Sequence, residues 1–252
     1  MLNTIEVGDP KNPPLVIAHG LFGSAKNWGA ISRRLSDKWY VISVDMRNHG
    51  NSKFYPDHDY EVMSEDLIKV LKFYGSYCNV LGHSMGGKAF MHLALQEPNL
   101  VEKLIVVDIA PVKYSHSQID IIKALQDMDL SLLKNRRDAD QKLSQFIKEK
   151  DIRNFLLQSL QFNDFTRWCL NLTSLSENMD KIMNFPSSSE VFNGDTLLIA
   201  GENSSYVSKR NISLMRKNFS NLRVENIHGC GHWVHVEKPK EFEISVRSFL
   251  NL

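Results

Sequence analysis

The stretch 79-NVLGHSMGGKAF-90 decides the fold. An apolar run, Val80 and Leu81, leads into Gly82. A histidine, a serine, a methionine and two glycines follow, and the chain turns at once into helix-forming residues. Glycine costs backbone entropy, so three of them around one serine need a reason. Gly82-His83-Ser84-Met85-Gly86 matches G-x-S-x-G between a strand and a helix. The reason is steric: a serine at the tip of a sharp strand-to-helix turn sits in a strained backbone conformation, and the residues two positions either side must be tiny for the turn to close. The hydroxyl is then lifted clear of the sheet, beside a helix N-terminus whose free N–H groups stabilise negative charge. The bland alternative is a structural turn with a solvated serine.

Outward from this turn, the first half of the chain alternates. Short apolar runs at 15–19, 39–45, 77–83 and 103–111 read as buried strands. Between them, 25–35, 60–75 and 85–96 carry apolar residues at helical spacing, with Gly75 placed as a C-cap. This rhythm means βαβ units and a mainly parallel sheet. Such sheets bind ligands at the carboxyl ends of their strands, and His19-Gly20, Asp45, Ser84 and Asp108 all follow strands, on one rim. From about Lys113 to Glu190 the rhythm breaks. The amphipathic pieces 118–128, 140–150 and 152–162 predict an all-helical insertion. Strand 196–201, helix 207–218, strand 222–227 and helix 239–250 then resume the pattern. The expected organisation is a core of residues 1–112 and 191–252 with a helical cap, 113–190, over the ligand rim.

A serine nucleophile needs a base. Of nine histidines, His232 is the strongest candidate, because its loop, 229-GCGHWVHVEKP-239, follows a strand and precedes a helix. His228 and His235 are its local competitors, and His83, adjacent to Ser84, points away from it. The base needs an orienting carboxylate. Asp108 and Glu202 both follow strands and both precede His232. Asp108 is favoured, since it ends its strand inside the rim and is followed by a rigid Ile-Ala-Pro exit. Oxyanion donors are expected from the backbone of Met85 and from the loop 19-HGLFGS-24, with Leu21 first and Phe22 second. Phe22 and His83 are also expected to touch substrate. Asp45, Arg47 and His49 read as a hydrogen-bonded brace.

Composition excludes several classes. A net charge of +1 offers no basic face for nucleic acid. Three cysteines without a C-x-x-C pair argue against zinc ribbons and dithiol redox sites, and free thiols suit a reducing compartment. No apolar run approaches membrane-spanning length. A cytoplasmic protein without metal or organic cofactor is expected.

Taken together, HGLFGS, VDMRNHGNS, GHSMGGKAFM, VVDIAPVKY and GCGHWVHVEKP resemble the α/β-hydrolase superfamily, more closely the YbfF-type esterases and their mitochondrial abhydrolase relatives. The likeness is weaker across 113–190. It implies a triad of Ser84, Asp108 and His232. It also implies cleavage of small-molecule carboxylic esters or acyl thioesters, acyl-CoA among them, through an acyl-enzyme. Epoxide hydrolases and dehalogenases use a carboxylate nucleophile in this turn, and Ser84 argues against them. A perhydrolase or a C–C bond hydrolase would use the same triad, and a non-catalytic binding protein could keep the same fold.

Overall fold

The computed structural model describes residues 1–162 and 165–251. In chain order the first half contains β1 (Thr4–Val7), β2 (Pro14–Ala18), a 3-10 turn (Ala25–Trp28) running into α1 (Gly29–Leu35), β3 (Tyr40–Val44), α2 (Tyr60–Tyr74), β4 (Cys78–His83), α3 (Met85–Gln96) and β5 (Val101–Val107). The middle segment contains α4 (Ile119–Gln126), α5 (Arg136–Leu143), α6 (Lys150–Leu156), β6 (Leu160–Phe162), β7 (Thr166–Trp168), α7 (Leu172–Glu177) and α8 (Met179–Met183). The chain closes with β8 (Asp195–Gly201), α9 (Lys209–Met215), β9 (Leu222–Ile227), α10 (Val234–Glu237) and α11 (Pro239–Leu250).

One sheet carries the fold, in the order β1-β3-β2-β4-β5-β8-β9. Every pair is parallel except β1 with β3. Period-2 side-chain alternation sends one strand's residues into two cores. Val16 and Ala18 of β2, with Leu104 and Val106 of β5, pack on the side covered by α2 and α3. Leu15 and Ile17, with Ile105 and Val107, pack against Trp28, α1 and α11. All eight are 0% exposed, which is why these strands read as unbroken apolar runs. Each such side chain contributes about 1.5–3 kcal/mol on burial.

α3 follows β4 without a loop and is buried from Met85 to Leu95. α2 is capped at its start by Asp59, whose side chain accepts from Val62 N–H at 3.2 Å, and at its end by Gly75, where φ is 154°. The elements flanking the rim thus have local reasons to start and stop where they do.

Three expectations need correction. The middle segment is not all-helical: β6 and β7 pair antiparallel, with Leu160 opposite Trp168. The helix expected over 152–162 stops at Leu156 and passes through a 3-10 turn into β6. β1 is an additional strand: its four residues make an edge strand that is only half-buried, so no apolar run marks it. The strand expected to reach Pro111 also ends earlier, at Val107.

Candidate active site

Ser84 lies between β4 and α3 with φ 51° and ψ −116°, outside the regions an L-residue prefers. The flanking glycines make this geometry accessible. A Cβ on Gly82 would sit 2.4 Å from the carbonyl oxygen of Gly86, and one on Gly86 would sit 2.5 Å from that of Ala18. Ser84 N–H donates to Val107 O at 3.0 Å, tying the turn to the neighbouring strand.

Asp108 leaves β5 with a positive φ as well, 50°. It is 0% exposed and its carboxylate is fully engaged. Oδ1 accepts from Gly201 N–H at 2.9 Å. Oδ2 accepts from Ser204 Oγ and, at 2.7 Å, from Nδ1 of His232. The other ring nitrogen of His232, Nε2, is thereby left as the acceptor. Tyr206 stacks on the imidazole, with centroids 4.0 Å apart and planes at 19°. Ser84 and His232 border one cavity. No hydrogen bond joins them among the described residues, and such contacts often close only when substrate is bound.

The competing residues have other partners. Glu202 accepts from His228 Nδ1 at 3.0 Å and from Gly229 N–H at 2.9 Å, at the surface. These contacts, His228 first, lower its pKa. His235 is buried, stacked on Trp28 at 4.3 Å, and burial followed by the charge of His232 brings its pKa down to about 3. His83 Nε2 donates to the carbonyl of His232 at 2.9 Å. Burial, then His232 and His235, hold it well below the usual histidine range. It therefore anchors the His232 loop, and it also borders the cavity.

The loop after β2 lies across the rim. Phe22 N–H donates to His49 Nε2 at 3.2 Å, so that amide is committed. The amides of Leu21 and Met85 have no protein acceptor among the described residues, and both residues border the cavity. Below them, Asp45 accepts from Asn3 Nδ2, Ala25 N–H and Asn51 N–H at 2.7–2.8 Å, and Arg47 pairs with Asp66 at 2.7 Å. His49 Nδ1 donates to Arg47 O at 2.9 Å. The segment is a brace that aims the loop.

The cavity measures about 260 Å³. Ile121 of α4, Phe155 and Leu156 of α6, and Ile182 and Met183 of α8 form its outer wall. Leu125 and Trp168, apolar residues of the same segment, instead pack away from it, with Trp168 Nε1 donating to Leu125 O at 3.0 Å. Among the described residues no cluster of histidine, cysteine, aspartate or glutamate could hold a metal ion, and no helix is long and apolar enough to cross a membrane. The site also holds Ser204, on Asp108, and Tyr206 and Lys88, on the cavity wall, which no motif marks. Only Lys88 left a signal, as one charge inside the otherwise apolar MGGKAFMHLAL.

A serine turn, a buried carboxylate on a histidine, and a mainly parallel sheet with an inserted segment define a class. Residues 13–189 match the family model described as the alpha/beta hydrolase fold, and the chain belongs to that family. It is 41% identical to the sn-1-specific diacylglycerol lipase ABHD11 of Mus musculus, over 96% of this chain and 82% of that protein. To the esterase YbfF of Escherichia coli it is 35% identical, over 95% and 94%. The solved structure of a marine microorganism esterase superposes with a TM-score of 0.95 at 36% identity, covering 98% of both chains.

Proposed function

We propose that this protein is a serine hydrolase that cleaves carboxylic esters, thioesters included, through an acyl-enzyme. The observation that carries the reading is the buried Asp108 gripping Nδ1 of His232 at 2.7 Å, beside the strained Ser84 turn. Its relatives named esterase and lipase support it.

Ser84 Oγ attacks the carbonyl carbon while His232 Nε2 takes its proton. Asp108 holds the imidazole in the tautomer that leaves Nε2 free, and stabilises the imidazolium that forms. The amides of Leu21 and Met85 donate to the oxyanion, each worth about 2.7–4 kcal/mol of barrier. His232 then protonates the departing alcohol or thiol. Water repeats the attack, with the same proton path, and releases the acid. Phe22 lines the acyl space. Residues 113–190 act as a cap on the core of 1–112 and 191–252, and their apolar side chains exclude water from the reacting carbonyl.

The test pairs covalent labelling with turnover. A fluorophosphonate probe is expected to modify the protein at Ser84. A series of p-nitrophenyl esters and acyl-CoAs of rising chain length is expected to give saturable hydrolysis. A folded protein that neither takes the probe nor turns over any member of the series sinks the proposal.

A further inference from the structure

Lys88 has no part in the chemistry above, yet it lies at the heart of the site. It is 1% exposed, one turn along α3 from Ser84, and borders the cavity. Among the described residues no carboxylate lies within ion-pair distance of it. Its Nζ donates to Met183 O at 3.1 Å and to Asn184 O at 2.7 Å. It also faces two aromatic rings, Tyr114 at 4.8 Å and Tyr60 at 5.6 Å. Both phenols are occupied: Tyr60 donates to Ile182 O, and Tyr114 donates to Tyr206 O. An ammonium has three donors, so one remains without a protein acceptor among the described residues. Burial alone brings the Lys88 pKa down to about 7, the behaviour of a cation that lacks its counter-charge.

Burying an unpaired charge costs several kcal/mol. A methionine would fill the same volume without that cost. The two carbonyls only partly offset it, and among the described residues none of the side chains that share the cavity wall with Lys88 is a carboxylate. Lys88 borders the space where a substrate must lie.

We propose that Lys88 is a specificity-determining residue that receives a carboxylate on the acyl part of the substrate, so that the preferred substrates are half-esters or half-thioesters of dicarboxylic acids. This rests on the hydrolase reading for its reaction, though not for its binding step. One helical turn, about 5.4 Å of rise, separates the attacking oxygen's residue from Lys88. A diacid of about five carbons has a length of that order, with its ester carbonyl at Ser84 and its free carboxylate toward Nζ. A carboxylate there meets a charge-assisted hydrogen bond; a neutral end group leaves the ammonium unpaired.

The test measures binding without turnover. In the Ser84→Ala variant, monoethyl glutarate is titrated calorimetrically against ethyl 5-oxohexanoate, a neutral ester of matched shape. The acid is expected to bind at least about tenfold more tightly. Adding Lys88→Met is expected to erase or invert that preference. If Lys88 merely ties α8 to α3, the substitution weakens both ligands alike and the ratio stays, which overturns the inference. Equal or weaker binding of the acid in Ser84→Ala alone also overturns it, whether or not the lysine variant folds. Turnover of p-nitrophenyl acetate by the wild type is scored separately. An enzyme that hydrolyses it but does not prefer the acid loses only the Lys88 inference, whereas preference for the acid without hydrolysis of any ester removes only the hydrolase reading.

Discussion

Replacing Asp108 by asparagine changes one atom, and the surroundings decide which way that atom faces. Gly201 N–H requires an acceptor at the Oδ1 position, 2.9 Å away. The asparagine carbonyl must stay there, so its NH2 group faces Nδ1 of His232. Two N–H groups cannot share that 2.7 Å contact. The imidazole therefore moves its proton to Nε2 and presents a donor, where Ser84 needs an acceptor. An equivalent change in serine-protease triads lowers kcat by about 10⁴-fold, or about 5.4 kcal/mol of barrier. We expect a loss of that order for Asp108→Asn on p-nitrophenyl esters, with KM little changed and the fold intact by thermal melting. Glu202→Gln is the control. Its carboxylate serves only the surface contacts to His228 and Gly229, so kcat should stay within about twofold, the range of ordinary surface changes. Retention of more than about a tenth of kcat in a folded Asp108→Asn variant, or collapse of activity in Glu202→Gln, would refute this reasoning.

Further outcomes follow from single features. Ser84→Ala should abolish both fluorophosphonate labelling and ester turnover; residual labelling would point to another nucleophile. Gly86→Ala places a methyl 2.5 Å from the Ala18 carbonyl, where backbone must shift, so a cost of about 2 kcal/mol should lower Tm by roughly 4–8 °C; an unchanged Tm in a scanning calorimeter contradicts that packing. Tyr206→Ala removes the face that holds the His232 ring, so kcat should fall about tenfold while KM moves little, and Tyr206→Phe should recover most of it. His235 is depressed from an ordinary 6.5 to about 3 by burial, so between those values the unfolded chain binds a proton that the native chain refuses. Stability should fall as pH drops through that window, and His235→Phe should move the acid-unfolding midpoint lower; an unmoved midpoint would mean that other buried histidines dominate.

The core was legible because its strands are buried on both faces. Runs such as KLIVV have no other economical reading, and the G-x-S-x-G turn marked where one strand gives way to a helix. β1 and the β6–β7 pair were not legible, since strands of three or four half-buried residues lack enough period-2 pattern to stand out. The elements that follow strands could be placed on one rim, but not the direction of their side chains. Asp108 and Glu202 both follow strands, and the rigid Ile-Ala-Pro exit only favours Asp108; its positive φ and its buried contacts are announced by no local residue type. Likewise Leu125 and Trp168 share the composition of Ile121 and Phe155, and only the packing of the middle segment separates wall from core.

The position of Asp108 has a consequence for how this family member can change. Its carboxylate comes from the end of β5, the strand beside the one that ends at Ser84. The end of β8 and the loop after it supply only Gly201 N–H and the Ser204 hydroxyl to that carboxylate. In the proposed mechanism residues 205–208 move no proton, while Tyr206 among them borders the cavity. With Tyr206 kept, such a loop can drift, lengthen or be redesigned to alter which acyl groups are admitted without dismantling turnover. It is a natural place to begin a directed-evolution library.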